Sequence, residues 1–224
     1  KNIKHEFYVV NYRQKKEALK RLIDANPNQY SIIFCRTRME TQEVADFLMQ
    51  NGYAADALHG DLSQAQRDTV MKKFRLKNID ILVATDVAAR GLDVDSLTHV
   101  IHFSLPDDPE VFVHRSGRTG RAGRDGISIS LIKPEESRKL KQIKSQTKIE
   151  MVEKTIPTGE AIIKAQVLGV FDKLFTEGEE PNVDFDNSLI PDLSAFSKEE
   201  LVHKLLQFQL RELSVYYKDR NDLA

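Results

Sequence analysis

The segment HRSGRTGRAGRDG (114–126) sets four arginines three residues apart: Arg115, Arg118, Arg121 and Arg124. Gly117, Gly120, Gly123 and Gly126 alternate with them. A period of three suits neither an α-helix nor a half-buried strand. The run is too short and too poor in proline for a collagen strand. Three readings remain: a loose Arg-Gly segment that touches RNA, a solvated turn, and a built anion site. The run is bracketed by ordered-looking sequence, PEVFVH before it and ISISLI after it. Two arginines three apart on a glycine-bearing loop can reach one point together. The planar guanidinium matches phosphate oxygens and never titrates off, and an arginine aimed at a γ-phosphate speeds nucleotide hydrolysis by roughly 10³ to 10⁵. The spacing alone does not say which two would do so.

Such a loop needs a scaffold, and the apolar pattern supplies one. The strand candidates are HEFYVV (5–10), SIIFC (31–35), ADALH (55–59), DILVA (80–84), THVIHF (98–103) and ISISLI (127–132). Helical patterns separate them. One near 13–26 carries Ala18, Leu19, Leu22 and Ile23. One near 38–51 carries Val44, Phe47 and Leu48 and stops at Asn51-Gly52. A third, N-capped by Ser63, carries Val70, Met71 and Phe74. A short helix surrounds 111–114 and a longer one covers 134–147, after which EMVEKTI (150–156) closes the sheet. Runs apolar throughout, such as Ile81-Leu82-Val83, belong to strands buried on both faces. The order predicts an α/β fold, a parallel sheet flanked by helices. Ligands then sit at the carboxyl ends of the strands. Those ends carry Arg36 and Thr37; His59, Gly60 and Asp61; and Thr85 and Asp86, followed by Arg90, Gly91 and Asp93.

The chain has 224 residues, 41% of them apolar, and no apolar run long enough to span a membrane. No leader is expected at Lys1, and the single Cys35 fits a reducing, cytoplasmic setting. His99 and His102 fall on opposite sides of one strand, and no histidine shows metal-ligand spacing, so no metal is expected. Residues 1–156 hold 26 Lys+Arg against 21 Asp+Glu, whereas 157–224 hold 7 against 13. The first part suits a polyanion and the second does not.

ATDVAARGLDV (84–94) and HRSGRTGRAGRDG closely resemble two motifs of the C-terminal lobe of DEAD-box ATP-dependent RNA helicases. IIFCRT (32–37) and LHGDLSQAQRDTVMKKFR (58–75) are similar to that lobe's other two signatures, in the same order. The resemblance covers about residues 1–156 and implies a RecA-like helicase lobe. It implies that Arg121 is the arginine finger and Arg118 its companion, and that Asp93 bonds the nucleotide ribose. His114 lies at the lobe interface and couples ATP state to RNA, while Asp86 and Arg90 brace the site. Thr85, Gly60, Gln64 and Arg67 match positions at the RNA backbone, with Arg36 and Thr37 grouped beside them. Arg115 and Arg124 stay outside the catalytic pair as structural or surface residues. Asp61 is read as bonding its own loop.

The sequence holds no G-x-x-x-x-G-K-[ST] phosphate loop and no apolar strand ending in paired acids. The family implies that ATP with Mg is held mainly by an N-terminal lobe absent from this sequence, so the chain alone is expected to be inactive. The partners implied are that lobe and RNA, gripped through its phosphates. IPTGE (156–160) marks a boundary where Thr158 caps a helix with Glu160 in its first turn. That helix is expected to bury Ile163, Val167, Val170, Phe171 and Leu174. TEGEEPNVDFDN (176–187) reads as a linker. Ser197 and Glu200 form a capping box for one last helix bearing Leu201, Val202, Leu205, Leu206, Leu213, Tyr216 and Tyr217. The boundary resembles that of the bacterial cold-shock branch of the family. Residues 157–224 are thus expected to be an all-helical extension that packs on the lobe or forms a homodimer. The rival readings are a non-catalytic RNA-binding and self-association module, and a lobe of a related superfamily 2 DNA helicase.

Overall fold

The computed structural model describes residues 3–89, 94, 97–121, 123–176, 192–218 and 220–223. Among these, seven strands form one sheet: β1 (Ile3–Val9), β2 (Ser31–Cys35), β3 (Ala55–Leu58), β4 (Ile81–Thr85), β5 (His99–His102), β6 (Gly126–Ile132) and β7 (Val152–Glu153). Their spatial order is β3-β4-β2-β5-β6-β1-β7, and every pairing is parallel. All residues of β2, β4 and β5 are buried, which is why β2 and β4 read as apolar runs. From β2 the chain builds outward to β3 and back to β4, then crosses to β5 on the other side. The carboxyl ends of β4, β2 and β5 therefore face the switch point where open α/β sheets bind ligands.

Helices α1 (Lys15–Asp24), α2 (Arg38–Gln50), α3 (Gln64–Arg75), α4 (Asp86–Ala89), α5 (Pro109–Ser116) and α6 (Ser137–Thr147) separate the strands. Their starts are chemically specified. The Thr37 hydroxyl accepts the Glu40 N–H at the head of α2. Ser63 and Gln66 make a reciprocal capping box at α3. Asp108 caps α5, with Pro109 at its first position, where the missing N–H costs nothing. Gly52 ends α2 at φ +83°, a conformation that favours glycine. One buried cluster gathers Tyr30, Ile32, Phe34, Leu58, Phe74, Leu82, Val100 and neighbours. A second holds Phe7, Leu105, Phe112, Ile132, Leu140, Ile143 and Met151. Each such side chain contributes about 1.5–3 kcal/mol by leaving water.

The chain separates into two compact units, Lys1–Lys20 with Gln29–Ile156, and Arg21–Asn28 with Pro157–Ala224. The boundary thus falls inside α1 as well as after β7. The second unit contains α7 (Gly159–Thr176), α8 (Lys198–Gln209) and α9 (Arg211–Lys218). Within it the fully buried Arg21 donates to Asp222 Oδ1 (2.9 Å), Asn221 O (3.0 Å) and Pro157 O (3.2 Å). Tyr217 Oη donates to Asp24 Oδ2 at 2.5 Å.

Two expectations for this unit are corrected. The inward face of α7 is set by Ile162, fully buried, and Gly169, whereas Leu174 is 63% exposed. A Cβ on Gly169 would stand 2.5 Å from Pro27 Cγ, so the helix makes its close approach through a residue without a side chain. Apolar periodicity gives no weight to glycine, so the expected face lies beside the buried one: Ile163, Val167, Val170 and Phe171 are half-buried. The last helix is two helices that meet at Leu210 (φ −101°, ψ 11°), with the capping box at Ser197–Glu200 intact. No residue of α8 is buried, while Leu210 and Tyr217 are; the chain turns where its anchors lie, without a glycine or proline to mark the break. The linker expected at 176–187 falls, apart from Thr176 at the end of α7, outside the described residues.

Candidate functional site

Three adjacent strands deliver their carboxyl ends to one cleft of about 390 Å³. Phe34 comes from β2; Asp86, Val87 and Ala89 from α4, directly after β4; and Val111, His114, Arg115 and Arg118 from α5 and the turn beyond it. Asp86, His114 and Arg118 are thereby brought together. His114 is exposed, and Arg118 and Arg121 are half-buried. Burial, and then the neighbouring charge of Arg121, pull the Arg118 guanidinium below its ordinary value. Two cations held close enough to repel suit an anion between them. Arg121 is itself steadied by its Nε, which donates to Gly117 O at 2.9 Å.

The glycines of this loop have separate functions. Gly120 and Gly123 adopt φ +66° and +78°, the left-handed region that an L side chain rarely occupies. Gly126 opens β6, and a Cβ there would overlap Gly120 N and Thr119 Oγ1. Thr119 Oγ1 donates to Leu97 O at 2.5 Å and pins the middle of the loop to the strand region before β5.

The side chains proposed for the RNA edge fall into three groups. Thr85 is buried, and its Oγ1 accepts the Ala88 N–H at 3.4 Å, so it caps the α4 turn. Arg67 Nη2 reaches Ala88 O on that same turn at 3.4 Å. Gly60 lies against the Arg38 side chain, which pairs with Asp61; Asp61 is engaged by the start of the preceding helix α2, not by its own loop alone. Gln64 is exposed at the start of α3 and donates to Asp68 Oδ1 at 2.8 Å. Arg36 and Thr37 are exposed. The Thr37 hydroxyl is engaged as the α2 cap, and Arg36 Nη2 bonds Asp107 Oδ1 (3.0 Å) and Leu105 O (3.3 Å). Lys139 reaches the same two acceptors at 2.5 and 2.9 Å, and its hydrogen bond holds the Asp107 carboxyl below the usual carboxylate range. Arg90 and Asp93 lie outside the described residues. Among the described residues no cluster of three His, Cys, Asp or Glu is arranged to hold a metal ion, and no helix is long and apolar enough to cross a membrane.

Sequence reasoning left Arg115 outside the catalytic pair, as structural or surface, without finding its partner. It is 3% exposed and forked onto Asp86, Nε to Oδ1 at 2.5 Å and Nη2 to Oδ2 at 2.6 Å. The available signal was helical spacing: Phe112, Arg115 and Ser116 share the inward face of α5.

A family model described as the helicase conserved C-terminal domain matches residues 14–123. The chain is 42% identical over 184 residues to the DEAD-box ATP-dependent RNA helicase CshA of Geobacillus kaustophilus, covering 82% of this chain and 39% of that protein. Among solved structures, the E. coli DEAD-box protein SrmB bound to regulator of ribonuclease activity A superposes with a TM-score of 0.64 at 33% identity, over 72% of this chain and 94% of that one. This chain belongs to the DEAD-box family. It is the RecA-like helicase C-terminal lobe, followed by helices. A further DEAD-box neighbour, S. cerevisiae Dbp5 bound to RNA and ADP BeF3, matches with a TM-score of 0.67 at 30% identity, over 74% of this chain and 45% of that one. The chain spans about two fifths of the length of this CshA relative.

Proposed function

We propose that this DEAD-box lobe completes the ATP site and the RNA groove of an ATP-dependent RNA helicase whose N-terminal RecA-like lobe supplies the rest. The observation that carries this is the convergence of His114 and Arg118, with Arg121 beside Arg118, on a cleft at the carboxyl ends of adjacent parallel strands. In this reading Arg121 is the arginine finger at the γ-phosphate, Arg118 supports it, and Asp93 bonds the ribose. Mg accompanies ATP and is held by the N-terminal lobe; the described residues here supply cations and hydroxyls rather than clustered carboxylates. His114, Asp86 and Arg90 form the coupling surface towards that lobe.

RNA is gripped through its phosphates by Thr85, Gly60, Gln64, Arg67, Arg36 and Thr37, a set of hydroxyls, amides and guanidinia that suits backbone contact without base reading. The solved Dbp5 neighbour bound to RNA and ADP BeF3 supports both ligands. Residues 1–156 form the helicase lobe and 157–224 an extension that associates with a second copy, in a protein of the bacterial cytoplasm belonging to the cold-shock branch. By itself the chain is inactive.

The test is Arg121→Ala in the full-length enzyme. RNA-stimulated ATP hydrolysis is expected to fall by about 10³ or more, while RNA affinity without nucleotide stays near wild type. Comparable loss of both favours the non-catalytic RNA-binding module, and turnover by the 224-residue chain alone refutes the half-site.

A further inference from the structure

The four arginines share one spacing, yet the first is placed unlike the others. Arg115 spends its donors inside the protein. Besides the two bonds to Asp86, its Nη1 donates to Ser104 O at 2.7 Å, and its guanidinium lies 5.0 Å from the Phe34 ring centre. Asp86 follows β4, Phe34 is in β2 and Ser104 follows β5, so one side chain ties together the carboxyl ends of three neighbouring strands. Asp86 is the residue after Thr85, on the RNA side of the cleft. Arg115 is the residue after His114 and lies one helical turn before Arg118. Next to it on the buried side of α5, Ser116 Oγ stands 3.0 Å from Ser128 Oγ and 3.2 Å from His102 Nε2, all buried. Buried residues (Arg115, Ser116, Thr119) thus alternate along the chain with the half-buried Arg118 and Arg121.

A buried ion pair is a poor source of net stability compared with an apolar pair of similar volume. What an arginine fork adds is orientation, because two parallel bonds fix the plane of the partner carboxylate. Resting on the proposed function above, we propose that Arg115 is a positioning residue: clamped to Asp86, it makes the Thr85 turn and the Arg118–Arg121 loop move as one body, so that RNA contact at the first sets the arginines at the second. A lysine keeps the charge but has no fork, and an asparagine at 86 keeps the shape but has no charge.

The experiment uses the full-length protein with Arg115→Lys or Asp86→Asn. ATP turnover is measured with and without saturating single-stranded RNA, together with KM for ATP, RNA affinity without nucleotide, and melting temperature. In both variants the ratio of RNA-stimulated to RNA-free turnover is expected to fall by about tenfold or more, while RNA affinity and KM stay within about threefold of wild type. Phe74→Leu, a core change in the same lobe at a residue that does not itself line the cleft, serves as the stability control and is expected to keep the wild-type ratio. A wild-type ratio in either soluble variant overturns the proposal, and so does an equal loss in Phe74→Leu. Asp86→Asn alone carries the test if Arg115→Lys does not fold. If the wild-type enzyme shows no RNA-stimulated turnover at all, the proposed function itself fails, a result distinct from a silent effect at Arg115.

Discussion

Removing Asp86 strands a buried cation, and the size of that effect follows from the geometry. Asp86→Ala deletes two charge-assisted bonds to an arginine side chain that is 3% exposed, and leaves it one carbonyl, Ser104 O, and the Phe34 ring. Breaking a fully buried pair by removing one partner costs about 3–5 kcal/mol. The Asp86 side chain, however, is 39% exposed. Water therefore screens the pair from that side and partly replaces the lost oxygens. The expected loss is about 2–3 kcal/mol. Arg115→Met added to Asp86→Ala removes the stranded charge and leaves an apolar side chain beside Phe34, so the double variant should be more stable than Asp86→Ala alone by about 1–2 kcal/mol. Urea unfolding followed by far-ultraviolet circular dichroism and by tyrosine fluorescence measures all four corners of the cycle. Coincidence of the two probes establishes which transition is compared in a chain of two compact units. Strict additivity of the two substitutions, or an Asp86→Ala loss under about 0.5 kcal/mol, would refute the stranded-charge argument.

Three further outcomes are expected. Burial pulls His99 from its ordinary 6.5 down to about 4, so it stays neutral in the fold while the unfolded chain takes up a proton below about 6.5. Stability should therefore fall as the pH drops through that window, by about 3 kcal/mol from this group, and lose nothing more from it below about 4. His99→Asn should flatten the acid limb by one proton, and an unchanged slope counts against the assignment. Gly126→Ala should cost about 1–3 kcal/mol by forcing a Cβ into Thr119 and Gly120, read as a lowered melting temperature. For the extension, Leu168, Phe175, Leu205 and Phe208 are between 60% and 81% exposed, an apolar surface that a second copy would cover. Sedimentation of the whole chain should show a concentration-dependent dimer that Phe175→Ser with Phe208→Ser dissolves; a monomer at every concentration excludes self-association.

Much of the lobe was legible because its signals are local. Apolar runs of four residues marked β2 and β4, since strands covered on both faces leave no room for polar alternation. Ser63 and Asn51-Gly52 marked helix ends through hydrogen bonds that span three or four residues. The carboxyl-edge rule then collected Asp86 and Thr85 at one edge without any coordinates. The extension was less legible. The buried face of α7 is centred on a glycine, and the break at Leu210 has no turn residue; both depend on what the helices meet, which periodicity does not encode.

The sequence by itself determined the order of elements, the parallel sheet, the strand ends that gather the site, and the loop that carries its arginines. Each of these follows from hydrophobic period, capping chemistry or motif spacing within a few residues. Only the tertiary structure decided how the four arginines divide their work. Arg115 turns inward to Asp86, Ser104 and Phe34, while Arg118 stands half-buried beside Arg121 at the cleft. Spacing makes the four equivalent. What separates them is which partners from β4, β2 and β5 arrive within hydrogen-bond reach, and those partners lie between 11 and 29 residues away for Ser104 and Asp86. Non-local contacts of that kind exist only once the sheet has formed.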